Sequence, residues 1–245
     1  MNKLLIYTAL WKRPEITAIC FEGIKRLQAY DPERFDITPF CVVSTEEDAA
    51  LCEYYEFDHC MAPNIPLGRK WNIGLRQALD NLEWDYLVQI GSDDLLHSHL
   101  LESYDRIIQD GIPHAGVRDL YFVNPATREA ISYTYSRTFY RLIGAGRIFS
   151  RTALEASFPL WNDGINKALD FSSENKLISS GYPHHIINTE SPRVLDIKSS
   201  TNIWSFDRLM RNGQGTKVPF DLALEWVSET ERELIEELCT TQHVA

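Results

Sequence analysis

The chain has 245 residues, with 24 Lys and Arg against 35 Asp and Glu. The formal charge of −11 excludes a generally basic, nucleic-acid-coating surface and leaves only a local basic groove open. Hydrophobic residues at 44% exclude a mainly disordered chain, and the length suits one large domain. Five cysteines (Cys20, Cys41, Cys52, Cys60, Cys239) stand at irregular spacings without a C-x-x-C pair, which predicts reduced thiols. The apolar run at 4–11 is too short to cross a bilayer, and Lys12-Arg13-Pro14-Glu15 follows where a signal peptide needs small residues. A soluble, cytoplasmic protein without a membrane span is expected; the oligomeric state is not legible.

In chain order, a strand is predicted at 4–10. It leads into a helix over 14–30, with Ile16, Ile19, Cys20, Ile24 and Leu27 on one face and Pro14 in the first turn. A strand at 37–43, a helix at 46–57 behind a Ser44-Thr45 cap and a short strand at 58–61 follow. Helical spacing of Trp71, Leu75, Ala78, Leu79 and Leu82 predicts a helix over 69–82, and 86–90 reads as a buried strand that stops at Gly91-Ser92-Asp93-Asp94. Strands are predicted at 119–123 and 130–135 around an Asn124-Pro125 turn, then at 144–149, 185–188 and 194–197. Helices are expected at 151–157, at 168–180 before Gly181, and at 221–238. The alternation predicts an α/β fold, a mixed central sheet flanked by helices. Residues 1–218 are read as one domain, with 219–245 forming an amphipathic helix packed on it.

In open α/β sheets ligands bind at the carboxyl ends of strands, so four segments there carry chemistry. Adjacent Asp93 and Asp94 repel, and a divalent ion such as Mn²⁺ or Mg²⁺ is one reason to keep them together; an N-cap and first-turn acid for a helix near His97 is the other. Gly68-Arg69-Lys70 puts cations at a helix start, which an anion would explain, as would a solvated surface. Asp163 and Asp170 are candidate general bases or ordinary caps. Lys198 could reach a phosphate or form a loop salt bridge with Asp196. His97 and His99, or His184-His185, could assist a metal, and are more simply surface and helix-start residues.

The order of these segments resembles the GT-A glycosyltransferases of the family-2-like, nucleotide-sugar-dependent type, over about the first 180 residues. The resemblance implies that the opening strand and loop hold the nucleotide through Thr8, Ala9, Trp11 and Arg13, with Ser44 from the second strand. Gly68-Arg69-Lys70-Trp71-Asn72-Ile73-Gly74 is similar to the family's Gly-basic-Asn helix start, which places Lys70 and Asn72 at the donor. The family's Asp-x-Asp-Asp aligns with Gly91-Ser92-Asp93-Asp94. Gly91 replaces the first Asp, Asp93 becomes the metal ligand with Asp94 beside it, and Gly91 and Ser92 lie at the donor. Gly144-Ala145-Gly146-Arg147 resembles the strand beside the acceptor, and Leu169-Asp170 the position of the catalytic carboxylate.

The implied reaction is transfer of a sugar from a nucleotide-diphosphate sugar, with UDP the expected carrier, to an acceptor hydroxyl. Asp170 acts as base with inversion and Asp163 is the alternative. Arg147 and Lys198 are expected at the diphosphate, and Trp161 and Trp204 at a sugar or base, or in the core. Enzymes of this kind also occur in bacteriophages, where some modify hydroxymethylated DNA bases. The stretch 137–141, with Arg147, Arg151, Arg208 and Arg211, could form a groove for DNA or equally be scattered surface charge, and a polysaccharide is the other acceptor. Two rivals stand: a sugar nucleotidyltransferase, opposed by the absence of glycine in the loop 8–14, and a non-catalytic sugar- or nucleotide-binding module.

Overall fold

The protein is described by a computed structural model covering residues 1–135, 142–198, 206 and 215–241. Twelve strands among these residues form two sheets. In the larger, β1 (Asn2–Ala9) lies between β2 (Phe35–Val43) and β4 (Tyr86–Gln89), parallel to both, and β3 (Asp58–Met61) extends the sheet beyond β2. On the other side β9 (Arg147–Ser150) runs antiparallel between β4 and β6 (His114–Gly116), and β10 (His185–Ile186) completes the order β10-β6-β9-β4-β1-β2-β3. The expected mixed sheet is therefore present.

Period-two alternation in β1 sends Leu4 and Ile6 into one core and Leu5 and Tyr7 into another. The first core is closed by α1 (Pro14–Tyr30), α2 (Glu46–Tyr54) and α4 (Leu100–Gln109), through residues such as Phe21, Ile24, Cys52 and Tyr104. The second is closed by α3 (Leu67–Asn81), α5 (Arg151–Ala156) and α6 (Leu169–Ser179), through Trp71, Leu75, Leu154 and Leu177. Helices cover both faces because β1, β2 and β4 have no polar face to leave in water.

The smaller sheet has the order β12-β8-β7-β11-β5, from β12 (Gly215–Val218), β8 (Glu129–Thr134), β7 (Asp119–Asn124), β11 (Val194–Ile197) and β5 (Asp94–Leu96). Its Leu95, Val123 and Leu195 share a third core with Ile16 and Ile19 of α1 and with the C-terminal helices α7 (Phe220–Ala223) and α8 (Glu229–Thr241). The described residues of the predicted C-terminal helix, 219–241, thus form two helices where one was predicted. The break comes where Ser228 and Glu231 cap α8 reciprocally: the Glu231 amide donates to Ser228 Oγ and the Ser228 amide to Glu231 Oε2.

The acidic pair is no helix cap, because Asp94 opens β5 and α4 starts at Leu100. The strand predicted at 144–149 begins only at Arg147, since Gly146 takes a left-handed conformation (φ +74°) that interrupts it. No helix among the described residues is long and apolar enough to cross a membrane.

Candidate functional site

At the carboxyl ends of β1 and β4 the two sheets part around a cleft of about 770 Å³. Its lining includes Ala9, Trp11 and Arg13 from the end of β1 and the loop after it, Asn64, Leu67 and Lys70 around the start of α3, and the aromatic Phe122, Tyr133 and Tyr135. Gly144 and Asp170 line it as well. The floor is the strand-to-strand crossing Gly91-Ser92-Asp93-Asp94.

Three carboxylates meet on that floor. Antiparallel register sets Asp196 of β11 directly opposite Asp94 of β5, and the Ile197 amide donates to the Asp93 carbonyl at 2.8 Å. Asp94 Oδ2 turns back to accept from the Gly91 amide at 2.6 Å. Burial, then the charges of Asp196 and Asp93, push the Asp94 carboxyl well above the usual carboxylate range. Burial likewise raises Asp196 to about 6. The compensating cations come from the chain. Arg13 grips both oxygens of Asp93 at 3.0 and 3.2 Å and also donates to Ser92 Oγ, and Lys198 Nζ lies 2.7 Å from Asp196 Oδ2. Arg13, expected along the nucleotide, is thus the partner of the acidic pair, and Lys198 forms the bridge to Asp196 that was its simpler alternative.

Gly91 is explained by the same turn. A Cβ there would fall 2.7 Å from both Asp93 Oδ1 and Asp94 Oδ2, so the family's first Asp has no room here. These hard oxygen donors suit a divalent ion, and Asp196 Oδ1 is buried without a hydrogen-bond partner. Among the described residues no three His, Cys, Asp or Glu side chains are arranged as a ligand set by themselves. An ion held by Asp93 would therefore complete its shell from phosphate oxygens, as Mg²⁺ sites commonly do.

Lys70 reaches the cleft wall from α3 with only 1% of its surface exposed, its Nζ donating to the Leu10 carbonyl and to Asn64 Oδ1. Burial, only partly opposed by Asp48, lowers its pKa to about 8. The start of α3 is not open to an anion in the way its cations suggested. The Gly68 amide donates to the Ile165 carbonyl, the Leu67 amide to Asn166 Oδ1, and a Cβ on Gly68 would strike the Asn162 carbonyl.

Several expected site residues lie elsewhere, for evident reasons. Asn72 is a structural pin: its amide donates to the Trp161 carbonyl and Asp163 Oδ1, and its oxygen accepts from the Leu160 and Trp161 amides. Asp163 is held there and lines a separate depression, whereas Asp170 lines the cleft. Trp161, 2% exposed, packs against Tyr7 and Trp71 in the core and cannot stack on a ligand. Arg147 is fully buried and directs its guanidinium at carbonyls beneath Asp170 instead of a diphosphate. Thr8 is fully buried, and neither it nor Ser44 lines the cleft. His97 packs at a tilt against both His99 and Trp226. Burial lowers His97 to about 4.

Ala9, Trp11, Arg13, Lys70, Gly91, Ser92, Asp93, Asp94, Asp170 and Lys198 do gather around the cleft. Trp204 and the basic stretch 137–141, like Arg208 and Arg211, lie outside the described residues. Sequence reasoning missed two residues of the floor, Asp196 as a cleft carboxylate and Gln89, whose buried Oε1 has no partner at the end of β4. A polar residue closing or interrupting an otherwise apolar strand was the available signal in both cases.

No protein-family model and no curated protein matches the chain. Solved structures do. Residues 1–349 of S. aureus TarS superpose with a TM-score of 0.57 at 13% identity, covering 99% of this chain and 72% of that one. The same fragment in complex with UDP-GlcNAc gives 0.55 at 16% identity, over 99% and 72%. A longer S. aureus TarS structure gives 0.57 at 13% identity, over 100% of this chain and 44% of that one. The chain therefore has the GT-A, Rossmann-like fold.

Proposed function

We propose that a chain of GT-A fold with this cleft is a glycosyltransferase that moves a sugar from a nucleotide-diphosphate sugar, a UDP-sugar in particular, to an acceptor hydroxyl. The observation that carries this reading is that one cleft is lined both by the cation-paired carboxylates Asp93, Asp94 and Asp196 and by a further carboxylate, Asp170, from another element. The UDP-GlcNAc bound by the like-folded TarS fragment supports the choice of donor.

In this reading Trp11 and Lys70 border the nucleotide, and Asp93, with Asp94 behind it, holds Mn²⁺ or Mg²⁺. The ion, when bound, offsets charge developing on the departing diphosphate. Asp170 takes the proton from the acceptor hydroxyl as its oxygen attacks the anomeric carbon, which inverts that centre. Tyr135, the partly exposed aromatic residue of the lining, is suited to pack against a sugar ring and so favours a glycan acceptor. A DNA groove is less well supported, because Arg147 is consumed internally and Arg151 donates to the Leu79 and Leu82 carbonyls and to Glu155.

The test is UDP release from UDP-GlcNAc and other UDP-sugars with Mn²⁺ present, for the native chain and Asp170→Asn. Release that collapses in the variant while UDP still raises its melting temperature supports a transferase with Asp170 as base. UDP binding without turnover in the native chain identifies a non-catalytic module, and absence of binding refutes the donor.

A further inference from the structure

The buried guanidinium of Arg147 sits directly beneath the proposed base. A charge removed from water is strongly destabilising unless it is paired and hydrogen-bonded, so its partners indicate what it is for. All five of its N–H donors are used. Nε donates to the Ile143 carbonyl at 2.7 Å, and Nη2 to the Leu142 carbonyl at 2.8 Å and Glu174 Oε2 at 3.5 Å. Nη1 donates to the Asp170 carbonyl at 3.1 Å and Ser173 Oγ at 3.2 Å. Glu174, 4% exposed at its side chain, balances the charge and meets His184 Nδ1 at 2.8 Å through its other oxygen.

These partners belong to two segments far apart in the chain, the loop 142–145 that lines the cleft and the first turns of α6. Where they meet, a Cβ on Gly144 would lie 2.4 to 2.9 Å from Asp170 Oδ1, Cγ and Oδ2, so the carboxylate rests on bare backbone. The start of α6 has little of its own to hold it, since Ala168 precedes it in a left-handed conformation (φ 59°) and gives no side-chain cap.

We infer that Arg147 is a positioning residue that ties the loop 142–145 to the first turn of α6 and so fixes the Asp170 carboxylate against Gly144 at the cleft. The inference rests on Asp170 being the base. Arg147 acts without touching substrate, and its planar fork serves where a lysine could not, since three rotatable donors cannot span five partners.

The experiment is a double-mutant cycle on UDP release from UDP-GlcNAc, with UDP affinity measured by calorimetry in each variant. Arg147→Lys is expected to lower turnover about a hundred-fold, the scale of an ångström-sized misplacement, with UDP affinity unchanged. In an Asp170→Asn background the same substitution should change the residual rate less than about twofold, because nothing is left to position. Gly144→Ala, which displaces the carboxylate without touching the buried charge, should reproduce the loss should Arg147→Lys fail to fold. Full activity in Arg147→Lys or Gly144→Ala, or equal losses with and without Asp170, overturns the inference. Full activity of Asp170→Asn alone instead overturns the underlying assignment of the base.

Discussion

Lys70 is the cation whose cost can be worked from the structure. Its ammonium is almost wholly enclosed and its pKa falls from 10.5 to about 8, burial being the main cause. Each pKa step is worth 1.36 kcal/mol, so holding the charge in the folded state costs on the order of 3 kcal/mol at pH 7. The sign follows from linkage: between pH 8 and 10.5 the unfolded chain binds the proton and the folded chain does not, so stability rises with pH across that window. Below pH 8 both states are charged and the penalty is fully present. Lys70→Met keeps the volume, removes the charge and leaves the Leu10 carbonyl without its donor, a loss of about 1–2 kcal/mol. The variant should therefore be about 1–2 kcal/mol more stable than the native chain at pH 7, and the advantage should disappear by pH 10. Urea denaturation of both chains from pH 6.5 to 10 measures this, the difference removing other titrating groups. A diphosphate beside Lys70 restores the charge, so native UDP affinity should fall as pH rises through about 8, and Lys70→Met should bind UDP weakly at every pH. Parallel stability curves for the two chains would refute the reasoning.

Three further substitutions separate the cleft from its supports. Gly91→Ala drives a methyl group into the Asp93 and Asp94 carboxylates, and should cost about 1–3 kcal/mol in urea and weaken UDP binding measured by calorimetry. Asp163→Ala should leave UDP release unchanged and cost about 1 kcal/mol through the lost Asn72 bond, because the residue lies outside the cleft. Trp161→Ala should lose about 3–5 kcal/mol by urea denaturation, as befits a core residue, while Trp161→Phe should retain UDP affinity.

What the sequence made legible was local. The helix over 14–30 and the strands at 58–61 and 194–197 are found at the predicted bounds, since Pro14 and the apolar stripe of α1 act within a few residues. The strands β5 and β6 escaped because three residues hold no visible period, and they exist through pairing with β11 and β9. Within the cleft, Asp93, Lys70 and Asp170 are legible because they stand near strand and helix ends. The pairing of Arg13 with Asp93 is not, because it joins residues 80 positions apart. Arg147 misled for a related reason: an arginine offers the same donors to a diphosphate as to buried carbonyls, and only the fold decides between them. The Ser228-Glu231 pattern was readable and went unused; taken as a capping box, it would have divided the C-terminal helix correctly.

Charge counting in the cleft gives the metal reading its sharpest test. The described lining holds four cations, Lys12, Arg13, Lys70 and Lys198, and four acids, Asp93, Asp94, Asp170 and Asp196. Arg13 and Lys198 are committed to Asp93 and Asp196, Lys70, still charged at pH 7, is bonded to the Leu10 carbonyl and Asn64, and Lys12 lies over the Trp11 ring. With four basic and four acidic groups in the lining, the cleft carries little net positive charge to set against the several negative charges of a nucleotide diphosphate. A divalent ion at Asp93 would add positive charge there, as the proposed function expects. UDP should accordingly bind at least about tenfold more tightly with Mn²⁺ than with EDTA, a difference of about 1.4 kcal/mol. Asp93→Ala should abolish that gain and sugar transfer while circular dichroism reports an intact fold. Calorimetry with and without Mn²⁺ decides the matter: equal UDP affinity in both, together with full turnover in EDTA, would show that Arg13 and Lys70 release their partners to take the diphosphate themselves.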